Sequence, residues 1–116
     1  MSDDSCLFCK IRDGKIPSTI TYRDHDVFAF NDIGPKAPLH ELVVPTRHVA
    51  TLADATAEDG AMYGRLMVVA AKRAKESGLA GDGFRVVMNA GPAAGQTVFH
   101  VHLHVLGGRS MGWPPG

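Results

Sequence analysis

The run His100-Val101-His102-Leu103-His104-Val105-Leu106 constrains the fold of this chain more than any other feature. Polar and apolar side chains alternate without a break, and a period of two belongs to a half-buried β-strand. On such a strand His100, His102 and His104 share one face, each roughly 6.5–7 Å from the next. Val101, Leu103 and Val105 take the other face and enter a core. A strand of this kind needs neighbouring strands and a covering layer. The 116 residues leave room for one domain, 1–116, and hardly for two.

The remaining sequence supplies those layers. Residues 6–13 read as a short helix ending near Gly14. Ile20–Arg23 and Val27–Phe30, separated by Asp24-His25-Asp26, read as a hairpin, with His25 simply solvated. A Gly/Pro loop over 34–38 leads to a third strand, Leu39–Val44, stopped by Pro45. A long helix is expected over Ala57–Ser77. Thr56 and Asp59 form a capping-box pattern at its start, and Gly78 is its C-terminal stop. Met62, Leu66, Val69 and Arg73 lie on one stripe of it, flanked by Tyr63, Met67 and Ala70, and the stripe is expected to pack on the sheet. Phe84–Met88 and Val98–Leu106 complete five strands. The expected class is α+β, with a mainly antiparallel sheet, one long helix and one short helix.

Twelve basic residues balance twelve acidic ones, which removes the electrostatic case for nucleic-acid or anionic-membrane binding. No apolar run approaches membrane-spanning length. The polar start Met1-Ser2-Asp3-Asp4-Ser5 lacks the form of a secretory leader. A cytoplasmic, reducing location is therefore expected. There Cys6 and Cys9 point to metal or redox use rather than to a structural disulfide.

Imidazole is the side chain that is both substantially neutral and nucleophilic near pH 7. Attack by such a ring on phosphorus splits a difficult displacement into two easier steps through a covalent intermediate. The segment Asn89 to Thr97, rich in small residues, runs directly into the histidine strand, where glycines let backbone N–H groups approach an anion.

These residues resemble the histidine triad (HIT) family, in particular its Hint branch. The resemblance rests on the histidine strand, on Gly95-Gln96-Thr97 before it and on Gly107-Gly108-Arg109 after it. Trp113-Pro114-Pro115-Gly116, Phe30-Asn31-Asp32-Ile33 and Ala37-Pro38-Leu39-His40 add to it. It implies a HIT-like fold whose sheets join across a homodimer, and hydrolysis of purine nucleoside 5′-phosphoramidates and aminoacyl adenylates, with AMP or GMP as the nucleotide part. Among the catalytic residues it implies His102 as the nucleophile, His104 on the phosphate and in proton transfer, and His40 as support, with His100 as the first triad member. Thr97 would contact the leaving group. Backbone around Gly95 and Gln96 would hold phosphate oxygens, Asn89 would line that pocket, and Asp32 would accept from the ribose. Leu7, Phe8 and Ile33 would wall the base, and Trp113 would reach the partner's site. Thr97 stands where serine is commoner in the branch. His104 stands where the transferase branch has glutamine, which favours water as the final acceptor.

Cys6-Leu7-Phe8-Cys9 has the spacing of zinc ligands. Some bacterial members of the resembled family complete such a pair with a histidine after Pro-x-Arg, here His48, and with the first triad histidine, here His100. Four protein ligands would make a closed, structural zinc site that the chemistry does not require. The plain alternative is two small, partly buried thiols and a packed His48. Two other functions compete with the phosphoramidase. One is a zinc hydrolase in which His100, His102 and His104 hold one catalytic metal. The other is a nucleotide-binding scaffold without turnover.

Overall fold

The computed structural model describes residues 5–79 and 81–116. The acidic start Met1–Asp4, part of the argument about a leader, lies outside them. Helix α1 spans Leu7–Arg12. Strands β1 (Ile20–Arg23), β2 (Val27–Asn31) and β3 (Leu39–Pro45) follow, then helix α2 (Gly60–Ser77) and strands β4 (Phe84–Val87) and β5 (Leu103–Gly107). The sheet runs β1-β2-β3-β5-β4 and is antiparallel throughout. This is the expected α+β architecture. No helix among the described residues is long and apolar enough to cross a membrane.

Side-chain alternation divides the sheet into two faces. Val27, Ala29, Leu39, Val43, Leu103 and Val105 pack with Leu66, Val69, Ala70 and Ala74 of α2. The intervening Phe28, Phe30, Leu42 and Val44 pack with Cys6, Phe8, Cys9 and Ile11 at α1. Helix α2 thus covers one face, and α1 partly covers the other. The register sets Leu42 opposite His104 and His40 opposite Leu106. His40, Leu42 and His104 therefore all rise on the α1 side.

Three expectations need correction. The fifth strand begins at Leu103, not Val98. In the β3–β5 register the position opposite Val101 is Pro45, which has no N–H to give a ladder. The Val101 N–H turns instead to the Val49 carbonyl, at 2.7 Å. His100 and His102 therefore sit on irregular backbone just before the strand. The long helix begins at Gly60, preceded by a 3₁₀ turn over Ala57–Asp59. There the Thr56 N–H donates to Asp59 Oδ2 at 2.9 Å, so the capping box closes the turn. Gly78 ends α2 as expected, at φ 72° in the left-handed region. Met67, expected beside the packed stripe, is 53% exposed, and Arg73 makes an ion pair at the sheet.

Candidate active site

A cleft of about 450 Å³ opens on the α1 side of the sheet. Leu7, Phe8, Asp32, Ile33, Asn89, Gly95, Thr97, His102 and His104 line it, all named from sequence. Ile11, Ile16, Pro17, Ser18, Phe30, Leu42 and Val98 line it too and were missed. Phe30 and Leu42 were legible in principle, since they alternate onto the same face as His104. Ile16–Ser18 are brought in by the path of a loop, which no periodicity records. His40, His100, Gln96 and Trp113 are not among the lining residues. Trp113 is 83% exposed, and His25 is solvated and paired with Asp26.

Hydrogen-bond partners assign the ring protons. His102 Nδ1 lies 2.7 Å from the His100 carbonyl, which can only accept, so Nδ1–H donates. Nε2 of His102 is left with the lone pair. The second chain of bonds starts at the Lys36 backbone N–H, which donates to His40 Nδ1 at 3.0 Å. The His40 proton is then on Nε2, which donates to His104 Nδ1 at 2.9 Å and lies 3.4 Å from Asp32 Oδ2. His104 must carry its proton on Nε2. The two rings beside each other at the cleft, with centroids 5.1 Å apart, thus hold opposite tautomers. One offers a lone pair at Nε2 and the other an N–H.

Burial keeps these rings neutral. Loss of solvation lowers His102 below the ordinary imidazole range, although the bond to the His100 carbonyl opposes this. Desolvation, helped by the neighbouring His102 and His40, pushes His104 down to about 4. Desolvation also lowers His40.

The loop before the histidines is held from within. Gly95 N–H donates to the Pro92 carbonyl at 3.0 Å, and Gln96 N–H to the Gly91 carbonyl at 3.1 Å. The buried Gln96 side chain accepts from Gly91 N–H at 2.8 Å and donates to the Ala50 carbonyl at 2.7 Å. Gln96 is therefore a staple of the loop. Gly95 occupies φ 93°, a conformation that strains any residue with a Cβ. Two residues further on, Thr97 lines the cleft.

Behind the cleft, His100 turns away from His102. Its Nε2–H donates to the Pro45 carbonyl at 2.8 Å, filling the acceptor that the interrupted ladder leaves. Its Nδ1 lone pair faces Cys6 Sγ at 3.3 Å, Cys9 Sγ at 3.5 Å and His48 Nδ1 at 3.2 Å. The four donor atoms lie within 4.8 Å of one another. A tetrahedral zinc ion has donor–donor edges of roughly 3.3–3.8 Å, so the donor set fits one. His48 Nδ1 faces the cluster, and its Nε2 is buried with no hydrogen-bond partner among the described residues. Burial pushes His100 down to about 4. Among the described residues no metal-holding group unites His100, His102 and His104. Asp32, His40 and His104 do lie close together, but their geometry is that of the proton chain above.

The sequence model of the HIT domain matches residues 13–111. An uncharacterized HIT-like protein of Synechococcus elongatus is 48% identical over the full length of both chains. A crystal structure of a HIT family hydrolase from Legionella pneumophila superposes with a TM-score of 0.94 at 46% identity, covering 97% of this chain and 100% of that one. A histidine triad protein from Clostridium difficile superposes at 0.91 with 45% identity, covering 97% of each.

Proposed function

Since the chain belongs to the HIT domain family, we propose that it is a nucleotide-binding hydrolase of the Hint branch, cleaving the P–N bond of purine nucleoside 5′-phosphoramidates. The observation that carries this reading is the tautomer of His102. With Nδ1–H held by the His100 carbonyl, a nucleophilic Nε2 is ready at a cleft lined by apolar side chains and by His104, Asn89 and Thr97. The base lies between Leu7, Phe8 and Ile33, and Asp32 accepts from the ribose hydroxyls. His102 Nε2 attacks phosphorus and the P–N bond breaks. The departing amine takes the proton of His104 Nε2, and the Thr97 hydroxyl hydrogen-bonds that leaving group. Water then attacks the nucleotidyl-histidine, gives a proton back to His104 Nε2, and the bond from phosphorus to His102 breaks to release the nucleoside monophosphate. Until it is transferred, the N–H of His104 stabilises charge on the phosphoryl oxygens. His40 holds His104 in this tautomer and is itself anchored by the Lys36 backbone N–H.

Adenosine 5′-phosphoramidate is expected to be hydrolysed to AMP, with a protein adduct of one AMP trapped by alkaline quench during turnover. Because burial lowers the nucleophile, the acidic limb of kcat/KM is expected below pH 6.5, the ordinary value for histidine. Full activity persists until His102 protonates as pH falls through its depressed pKa. No AMP release under any of these conditions would reject the reading.

We further propose that Cys6, Cys9, His48 and His100 hold a structural zinc ion, which when bound would tie α1 to the sheet and take no part in the reaction. Cys6 and Cys9 are buried thiols rather than a disulfide, and a cytoplasmic location is proposed together with this site. The working form is proposed to be a homodimer joined through the sheet. Strand β4 pairs only with β5 among the described strands, and Met67, Val68 and Phe84 near that edge and on α2 are exposed. A native mass spectrum is expected to give a dimer with two zinc ions. A zinc-free monomer would contradict both proposals.

A further inference from the structure

We propose that metal occupancy of the Cys6–Cys9–His48–His100 cluster controls how tightly the cleft binds a nucleoside monophosphate, so that the two sites are energetically coupled. This rests on the reading of both sites given above. Two physical links join them. The first is the segment Cys6-Leu7-Phe8-Cys9. Both cluster cysteines are buried, and the two residues between them line the cleft. The Phe8 ring meets His102 edge-on with centroids 5.0 Å apart, and meets Phe30 at 5.4 Å. Fixing Cys6 and Cys9 to one ion therefore fixes the wall that a base must press against.

The second link is His100. Its ring supplies Nδ1 to the cluster, and its carbonyl, 2.7 Å from His102 Nδ1, holds the His102 ring. A metal that orients the His100 ring steadies the backbone that presents this carbonyl. No nucleotide need touch the cluster for either link to act. Ordering done by the first ligand is ordering the second no longer has to supply. Reciprocity is then required, because coupling between two binding equilibria has the same magnitude in both directions.

The test uses the full chain, stripped with a chelator and then either left metal-free or refilled with one equivalent of zinc. AMP is titrated into each form by calorimetry, and zinc affinity is measured by chelator competition with and without saturating AMP. AMP is expected to bind about tenfold more weakly to the metal-free protein, and AMP to tighten zinc by the same factor. Phe8→Leu, which shortens the first link while leaving every metal donor in place, is expected to reduce the coupling to about threefold or less. The α2 core is built from other residues, so the metal-free chain should keep its fold, checked by circular dichroism. If it does not, zinc affinity with and without AMP in the wild type and Phe8→Leu still reads the coupling. AMP affinities equal within about twofold in the two forms, with both ligands binding, would overturn the coupling alone. Failure of AMP to bind the zinc-loaded protein, or of the protein to take up zinc, would overturn it together with the corresponding premise.

Discussion

His102→Ala is expected to lower kcat/KM for adenosine 5′-phosphoramidate by at least about 10³-fold, or about 4 kcal/mol of barrier, while AMP still binds within about tenfold of wild type. Loss of the nucleophile removes the covalent route entirely, whereas the base walls, Asp32 and Thr97 remain. Alanine also frees the His100 carbonyl and removes a ring from beside Phe8, so a simple deletion mixes chemistry with positioning. His102→Asn separates them. Its side-chain N–H can still reach the His100 carbonyl, yet it has no nucleophilic ring nitrogen. Equal losses in both variants, with no acid-stable or acid-labile nucleotide adduct in either, are the expected result. Substantial turnover by His102→Asn would mean that water attacks directly and that the ring only positions the substrate. AMP binding without turnover in the wild type would point to a scaffold.

The same residue shows where sequence reading succeeded and where it stopped. Alternation puts the three histidines on one face and the valines and Leu103 on the other, and it holds for Leu103, His104 and Val105, because residues on a regular ladder obey period two. His100 and His102 were assigned to the same strand and lie before it, because the ladder's end depends on Pro45 opposite Val101, a partner fixed by tertiary register. That interruption gives the two rings different tasks. It releases the Pro45 carbonyl to take His100 Nε2–H and sends His100 Nδ1 towards the cysteines. The tautomers of His40 and His104 depend on a backbone N–H four residues from His40, which no motif encodes. The resemblance implies a phosphate beside the backbone of Gly95 and Gln96 and says nothing of the Gln96 side chain. That side chain bonds Gly91 and Ala50, a role visible only once the loop has closed.

Arg73 was read as part of the packed stripe of α2, and it does meet the sheet, through a charge. Its Nε and Nη2 reach Glu41 Oε1 and Oε2 at 2.9 and 3.2 Å. Glu41 is buried on β3 and also accepts from the Thr21 hydroxyl at 2.7 Å. The Glu41 pairing raises the Arg73 pKa further, so the guanidinium stays charged under all ordinary conditions. Glu41→Leu would leave that charge facing an apolar layer, with Glu76 its remaining acidic partner among the described residues. Breaking one side of a buried pair costs about 3–5 kcal/mol, and the partial exposure of Arg73 places this case at the low end. The melting temperature is expected to fall by about 10 °C. Glu41→Leu combined with Arg73→Met removes both charges and should recover most of that loss, since apolar replacement of an entire buried pair is often neutral. Glu41 points to the α2 side and His102 to the cleft side, so turnover below the melting range should stay within about threefold of wild type in both variants. A fall of less than about 3 °C for Glu41→Leu would show that α2 is held to the sheet by Leu66, Val69, Ala70 and Ala74, with the ion pair contributing orientation and little stability.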